Sequence, residues 1–131
     1  MYWHGNDGSH NWAPEDGSAG YVSFYHAFDM AWTGYWLLKW RDHLPAESKR
    51  ILESARPLGD FLLAQQRADG YIPSWFNSEN LLPRQEFSAL SGEVAGPALF
   101  LAELTKATGE EEYLEGARKA MQFVEDNILP Q

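Results

Sequence analysis

The feature that most constrains this chain is an internal repeat. A gapless shift of 62 residues places Gly34 on Gly96, Leu37 on Leu99, Leu38 on Phe100, Ile51 on Tyr113 and Leu52 on Leu114. The match extends past apolar positions. Glu53 falls on Glu115, Ala55-Arg56 on Ala117-Arg118, and Phe61-Leu62 on Phe123-Val124. Two unrelated amphipathic helix pairs would coincide at apolar positions only. A repeat of this length is a supersecondary unit, far longer than a coiled-coil heptad. The chain therefore reads as two copies of one αα-hairpin, four main helices in all.

The local signals agree with that division. Residues 1–20 carry the turn dipeptides Asp7-Gly8 and Asp16-Gly17 with Pro14 and Gly20, and read as an irregular arm. Residues 21–43 read as a first helix, apolar on most of its circumference: Tyr21, Val22, Phe24, Tyr25, Phe28, Met30, Trp32, Tyr35, Trp36, Leu37, Leu38 and Trp40. Such a helix needs neighbours on several sides. Leu44-Pro45 breaks it. A second, amphipathic helix follows over 46–66 on Ile51, Leu52, Ala55, Leu58, Phe61 and Leu62, with a kink or boundary expected near Ala55 because Pro57 lies inside it. Asp69-Gly70 turns the chain into a long loop over 68–87. A third helix spans 88–108 and ends at Thr108-Gly109, with glycine available for the left-handed position past the helix end. Glu110, Glu111 and Glu112 open a fourth helix over 110–128, where acidic side chains suit the positive end of the dipole. The expected fold class is all-α: an arm (1–20), a first hairpin (21–67), a loop (68–87) and a second hairpin (88–129) in a single domain.

Composition narrows the functions. The 131 residues hold no Cys, which excludes disulfides, zinc–thiolate sites and a thiol nucleophile. Nineteen acidic against ten basic residues give a net charge of −9, which repels nucleic-acid backbones. No apolar run reaches the roughly 18–20 residues of a membrane span. The N-terminus has no basic start followed by an apolar stretch, so no signal peptide is expected, and both a cytoplasmic and an exported location stay open. No serine elbow, phosphate-binding glycine loop or dinucleotide fingerprint occurs. His4, His10 and Asp7 match no standard ligand spacing, so neither a metal nor a cofactor is expected.

Two segments resemble a known superfamily. Gly96-Pro97-Ala98-Leu99-Phe100-Leu101-Ala102-Glu103-Leu104, with Thr108-Gly109-Glu110-Glu111-Glu112-Tyr113-Leu114 and Ala117-Arg118-Lys119-Ala120, resembles the hairpins of (α/α) toroids. These include six-hairpin glycosidases, related polysaccharide lyases and sugar epimerases. Phe61-Leu62-Leu63-Ala64-Gln65-Gln66, followed by Asp69-Gly70-Tyr71-Ile72-Pro73, resembles the end of an outer helix and its return loop. It also approaches the Gln-Trp repeat of terpene cyclases, except that Ile72 stands where that motif has Trp. A closed toroid uses about six hairpins, roughly 370 residues at this period, whereas two are present. The resemblance therefore implies part of a larger toroid, or a chain that covers its open edges by self-association.

The resemblance implies that substrate meets the loops preceding the inner helices, here the first and third. Sugars offer apolar C–H faces edged by hydroxyls, which suit flat aromatic rings beside carboxylates, amides and guanidinium groups. The expected sugar contacts are Trp12, His26, Trp32, Tyr71, Trp75, Asn77, Arg84 and Glu86. The plainer reading of Trp75 and Phe76 is that they pin the loop to the helices. Asp29, flanked by Phe28, Met30, Ala31 and Trp32, is the most suggestive acid, because a buried carboxylate needs a partner. His26, three residues earlier, shares its helix face. General acid–base chemistry on a glycosidic bond wants two carboxylates, and Asp29 with Glu93 or Glu86 is the candidate pair. The plainer readings are a structural hydrogen bond from Asp29 to Thr33 and a first-turn helix acid at Glu93. The expected function is a segment of a carbohydrate-active toroid protein, glycoside hydrolase-like or polysaccharide lyase-like, inactive as an isolated chain. The alternative is a non-catalytic helical-repeat module that binds a protein through its aromatic first helix.

Overall fold

A computed structural model describes residues 2–4, 23–77, 80–83 and 91–129. The chain is mostly helical. In order come β1 (Tyr2–His4), β2 (Ser23–His26), α1 (Ala27–Trp40), α2 (Ser48–Gln65), β3 (Trp75–Asn77), α3 (Ser91–Thr108) and α4 (Glu111–Asn127). Two short 3-10 turns, Arg41–His43 and Pro45–Glu47, fold α2 back on α1. Gly109 and Glu110 do the same for α4 on α3. Gly109 takes the left-handed conformation at φ +75°, as the Thr-Gly signal implied.

Like helices run parallel. Going up α1, Phe28 meets Gly96, Gly34 meets Phe100 and Lys39 meets Glu103, so α1 and α3 ascend together. Going up α2, Arg56 bonds Glu110, Asp60 bonds Tyr113 and Gln66 bonds the Gly116 carbonyl, so α2 and α4 do the same. The repeat-matched glycines, Gly34 and Gly96, both sit at the α1–α3 crossing. A Cβ on Gly34 would stand 2.6 Å from Phe100 Cε2, and one on Gly96 2.6 Å from Phe28 Cδ2. Each glycine is the space that an aromatic ring fills.

The core lies between the hairpins. Ala31 and Leu38 of α1, Leu62 of α2, Val94, Phe100, Leu101 and Leu104 of α3, and Tyr113, Ala120 and Val124 of α4 are buried together. Tyr113 is 1% exposed and donates its hydroxyl to Asp60 Oδ1 at 2.6 Å, which satisfies the one polar atom it carries inward. Burial and then the Asp60 carboxylate push this phenol above its ordinary value. Glu103 joins the parallel helices by bonding Lys39 of α1 and Lys106 of its own helix, each at 3.2 Å. Burial alone would raise its carboxyl; the two lysine hydrogen bonds outweigh that and hold it below its ordinary value.

Three expectations change. The first helix starts at Ala27 rather than near Tyr21, because Ser23–His26 is an extended strand. The long loop contains β3, and strand order is β1-β2-β3 with both pairings antiparallel. The short aromatic stretches Phe24-Tyr25 and Trp75-Phe76 suit a pleated surface better than a helix end. Of the kink or boundary expected near Ala55, the boundary is absent. α2 runs continuously through Pro57; the missing N–H leaves the carbonyl of Glu53 without its helical partner, and both residues are exposed. Of the expected arm, residues 5–20 lie outside the described residues.

Candidate functional site

Because α1 and α3 are parallel, their N-terminal ends share one end of the molecule. β2 leads straight into α1, and His26 is the residue of passage: last of the strand and N-cap of the helix, at φ −112° and ψ 116°. Across the sheet His26 pairs with Trp75, and Ala27 N donates to Ser74 O at 2.8 Å, so the return segment is tied to the helix start. That pairing stacks the indole of Trp75 on the imidazole, with centroids 3.9 Å apart and planes 11° from parallel.

The imidazole lies between two carboxylates. Nδ1 is 3.0 Å from Asp29 Oδ2, a contact set by the three-residue step from N-cap into the first turn. Nε2 is 3.6 Å from Glu93 Oε1, delivered by the first turn of α3. The second distance exceeds a hydrogen bond. His26 is 9% exposed, and the Asp29 and Glu93 side chains are 19% exposed. His26 Nε2, Glu93 Oε2 and Ser74 Oγ are buried without a hydrogen-bond partner among the described residues. An unpaired buried polar atom costs roughly 1–3 kcal/mol, so three in one small region mark a local cost in stability. A neutral imidazole donates from one nitrogen and accepts at the other, whereas the imidazolium donates from both. The ring can therefore hold a proton that faces a carboxylate on either side.

The residues singled out from sequence divide cleanly. His26, Asp29, Glu93 and Trp75 come together in one cluster. Trp32 lies one turn further along α1, 43% exposed and stacked on Phe28. Tyr71 goes elsewhere: it is buried, packs on Phe123 at 5.1 Å and lies under the Arg67 guanidinium. Asn77 closes β3, where its backbone N–H donates to Leu82 O and its carbonyl accepts from Leu81 N. Trp12, Arg84 and Glu86 lie outside the described residues. Two participants escaped the sequence reading. Ser74 gave no signal beyond its place beside Trp75. Phe28, which links His26 to Trp32 by ring contacts of 6.0 Å on either side, was read only as an apolar helix residue.

A concavity lies on other residues than this cluster. It is an almost wholly apolar groove of about 500 Å³ on the outer side of the second hairpin, lined by Ala95, Ala98, Leu99, Ala102, Ala117, Arg118 and Met121. Among the described residues, no group of three or more His, Asp or Glu side chains is arranged to hold a metal ion, and no helix is long and apolar enough to cross a membrane. In comparisons with protein-family models, curated proteins and solved structures, nothing matches this chain.

Proposed function

We propose that this chain is the sugar-binding segment of a carbohydrate-active protein of the α/α-toroid type, glycoside hydrolase-like or polysaccharide lyase-like. The observation that carries the reading is the imidazole of His26, set between Asp29 and Glu93 and capped by the Trp75 indole. A pyranose ring presents hydroxyls at its edge and C–H groups on its face. The Asp29 and Glu93 carboxylates, whose side chains are 19% exposed, suit the edge, and the partly exposed indole suits the face.

Cleaving or rearranging a glycan needs a proton donor and a proton acceptor. Asp29, His26 and Glu93 bring two carboxylates and an imidazole together in one cluster. Asp29 and Glu93 are the proposed acid–base residues, with His26 as the link between them. A toroid collects its active site from many hairpins, so this chain alone binds sugar without turning it over.

The apolar groove of the second hairpin fits the same picture as the seat of a neighbouring hairpin. It also favours the alternative, a helical-repeat module that binds protein. Intrinsic tryptophan fluorescence, titrated with neutral and acidic oligosaccharides, separates the two. The sugar reading expects a saturable change with one glycan class, abolished by Trp75→Ala and weakened by Asp29→Asn. No response from any glycan refutes it and leaves the protein-binding module.

A further inference from the structure

His26 joins four elements. It ends β2, caps α1, stacks on Trp75 of β3 at 3.9 Å and faces Glu93 of α3. Its two carboxylate contacts are unequal. Nδ1 lies 3.0 Å from Asp29 Oδ2, within hydrogen-bond range. Nε2 lies 3.6 Å from Glu93 Oε1, outside that range, and is buried without a hydrogen-bond partner among the described residues. A neutral ring with its proton on Nδ1 accounts for both distances. Nδ1 donates to Asp29, and the bare Nε2 turns a lone pair toward a carboxylate that can only accept. A second proton reverses that relation. Nε2–H becomes a donor aimed at Glu93, and a charge-assisted bond is shorter and stronger than a neutral one.

We infer that His26 is a proton-operated clasp between the two hairpins: neutral, its ring bonds Asp29 alone, and protonated, it also draws in Glu93 and ties the start of α3 to the start of α1. The inference stands on the ring and its two carboxylates, whatever the cluster binds. Histidine is the side chain whose ordinary range puts its charge change between pH 5 and 8, above that of a carboxylate, so the ring is the group that switches. The charged groups facing it among the described residues are Asp29 from α1 and Glu93 from α3. Trp75 brings the face of an indole from β3, which attracts a cation. Burial and the positive ends of α1 and α3 oppose charging the ring, and the carboxylates and the indole favour it. The moving part is the Glu93 side chain, which needs only a small turn to close on Nε2 and whose Oε2 is itself buried without a partner among the described residues. In acid the clasp holds the first turn of α3 against the strand-to-helix passage at His26; at neutral pH it releases it.

The test uses the full chain without sugar. Nuclear magnetic resonance of isotope-labelled protein follows the ring nitrogens of His26 from pH 8 to pH 5. At pH 8 the ring should carry its proton on Nδ1 with Nε2 bare. At pH 5 both nitrogens should be protonated, and the Glu93 carboxyl and Trp75 indole N–H signals should move with the same midpoint. Glu93→Gln gives a second reading by thermal melts. Its carboxamide can donate to a bare Nε2 but offers an imidazolium no negative charge. Its Tm should therefore lie above wild type at pH 8 and below it at pH 5, a swing of roughly 5 °C. Placed in a His26→Gln background, the same substitution should shift Tm equally at both pH values. A ring that keeps one protonation state from pH 8 to pH 5, a Glu93 signal that ignores the ring, or a Glu93→Gln shift of one sign and size at both pH values overturns the clasp. If a variant fails to fold, the wild-type resonance measurement decides alone. No arm contains sugar, so the clasp and the sugar-binding reading stand or fall separately.

Discussion

Gly70 sets the position of the segment that carries Trp75, and replacing it with alanine should cost far more than the same change at Gly109. Both glycines sit in the left-handed region, at φ +92° and +75°. A non-glycine residue there pays roughly 1–2 kcal/mol. At Gly109 that is the whole cost, because a new Cβ meets nothing within 4 Å. At Gly70 the new Cβ runs into the backbone carbonyl of Lys119 on α4, and backbone cannot swing aside as a side chain can. The loop must lift, which threatens the Gly70 N–H bond to Arg67 O at 3.0 Å, the Arg67 N–H bond to Tyr71 O at 2.8 Å and the Gln66 Nε2 bond to Gly70 O at 3.0 Å. With each bond worth roughly 0.5–1.5 kcal/mol, the total is about 2.5–6.5 kcal/mol, centred near 4.5. For a chain of this length that lowers Tm by roughly 10–20 °C, against about 5 °C for Gly109→Ala. Thermal and urea melts followed by far-UV circular dichroism read the comparison. The same variant should change Trp75 fluorescence before global melting, because residues 71–74 are the tether of the stack. Equal losses at the two positions would refute the clash and the anchoring role assigned to Gly70.

Other consequences follow from single contacts. Gly34→Leu and Gly96→Leu should each destabilise by several kcal/mol, since a ring occupies the space beside each; a neutral melt for either would break their equivalence at the α1–α3 crossing. Tyr113→Phe should cost roughly 1–2 kcal/mol through loss of the bond to Asp60, measured by urea titration. Because the Tyr113 phenol is raised in the folded protein, its contribution is full below the ordinary tyrosine value near 10 and fades as pH rises above it, so alkaline destabilisation should be weaker in Tyr113→Phe. Glu103 has the opposite sign. Its folded carboxyl is depressed, so its stabilisation is full above the ordinary glutamate value near 4.3 and is lost as pH falls through the lower folded value. The stability gap between wild type and Glu103→Gln should therefore close in acid, and a gap unchanged at pH 2–3 would count against the Lys39–Glu103–Lys106 clasp.

Four helices, their order and the equivalence of Gly34 and Gly96 were legible because helix period and repeat are local and additive signals. The His26–Asp29 pairing was legible for the same reason, since three residues along a helix start fix it. Glu93 was legible only as one of two candidate carboxylate partners for Asp29, and its place beside His26 follows from the parallel run of α1 and α3. The small sheet was hidden because Ser23–His26 runs without a break into an apolar helix, so no alternation stands apart from the helical pattern. Tyr71 misled because its neighbours Asp69-Gly70 and Pro73 mark a loop, yet the turn at Gly70 drives that loop onto α4, and Tyr71 goes inward against Phe123. The stack of Trp75 on His26 depends on antiparallel pairing across nearly fifty residues of chain, and no local pattern encodes it.

The central claim is that sugar binds at His26, Asp29, Glu93 and Trp75. Its most direct test is a nuclear magnetic resonance titration of the labelled protein with the oligosaccharide that responds best, following side-chain signals. The account predicts that the Trp75 indole N–H and the His26 ring C–H signals shift first and most, with Trp32 next. Shifts confined to Leu99 and Met121 in the apolar groove, or no shifts at all at saturating sugar, would contradict it.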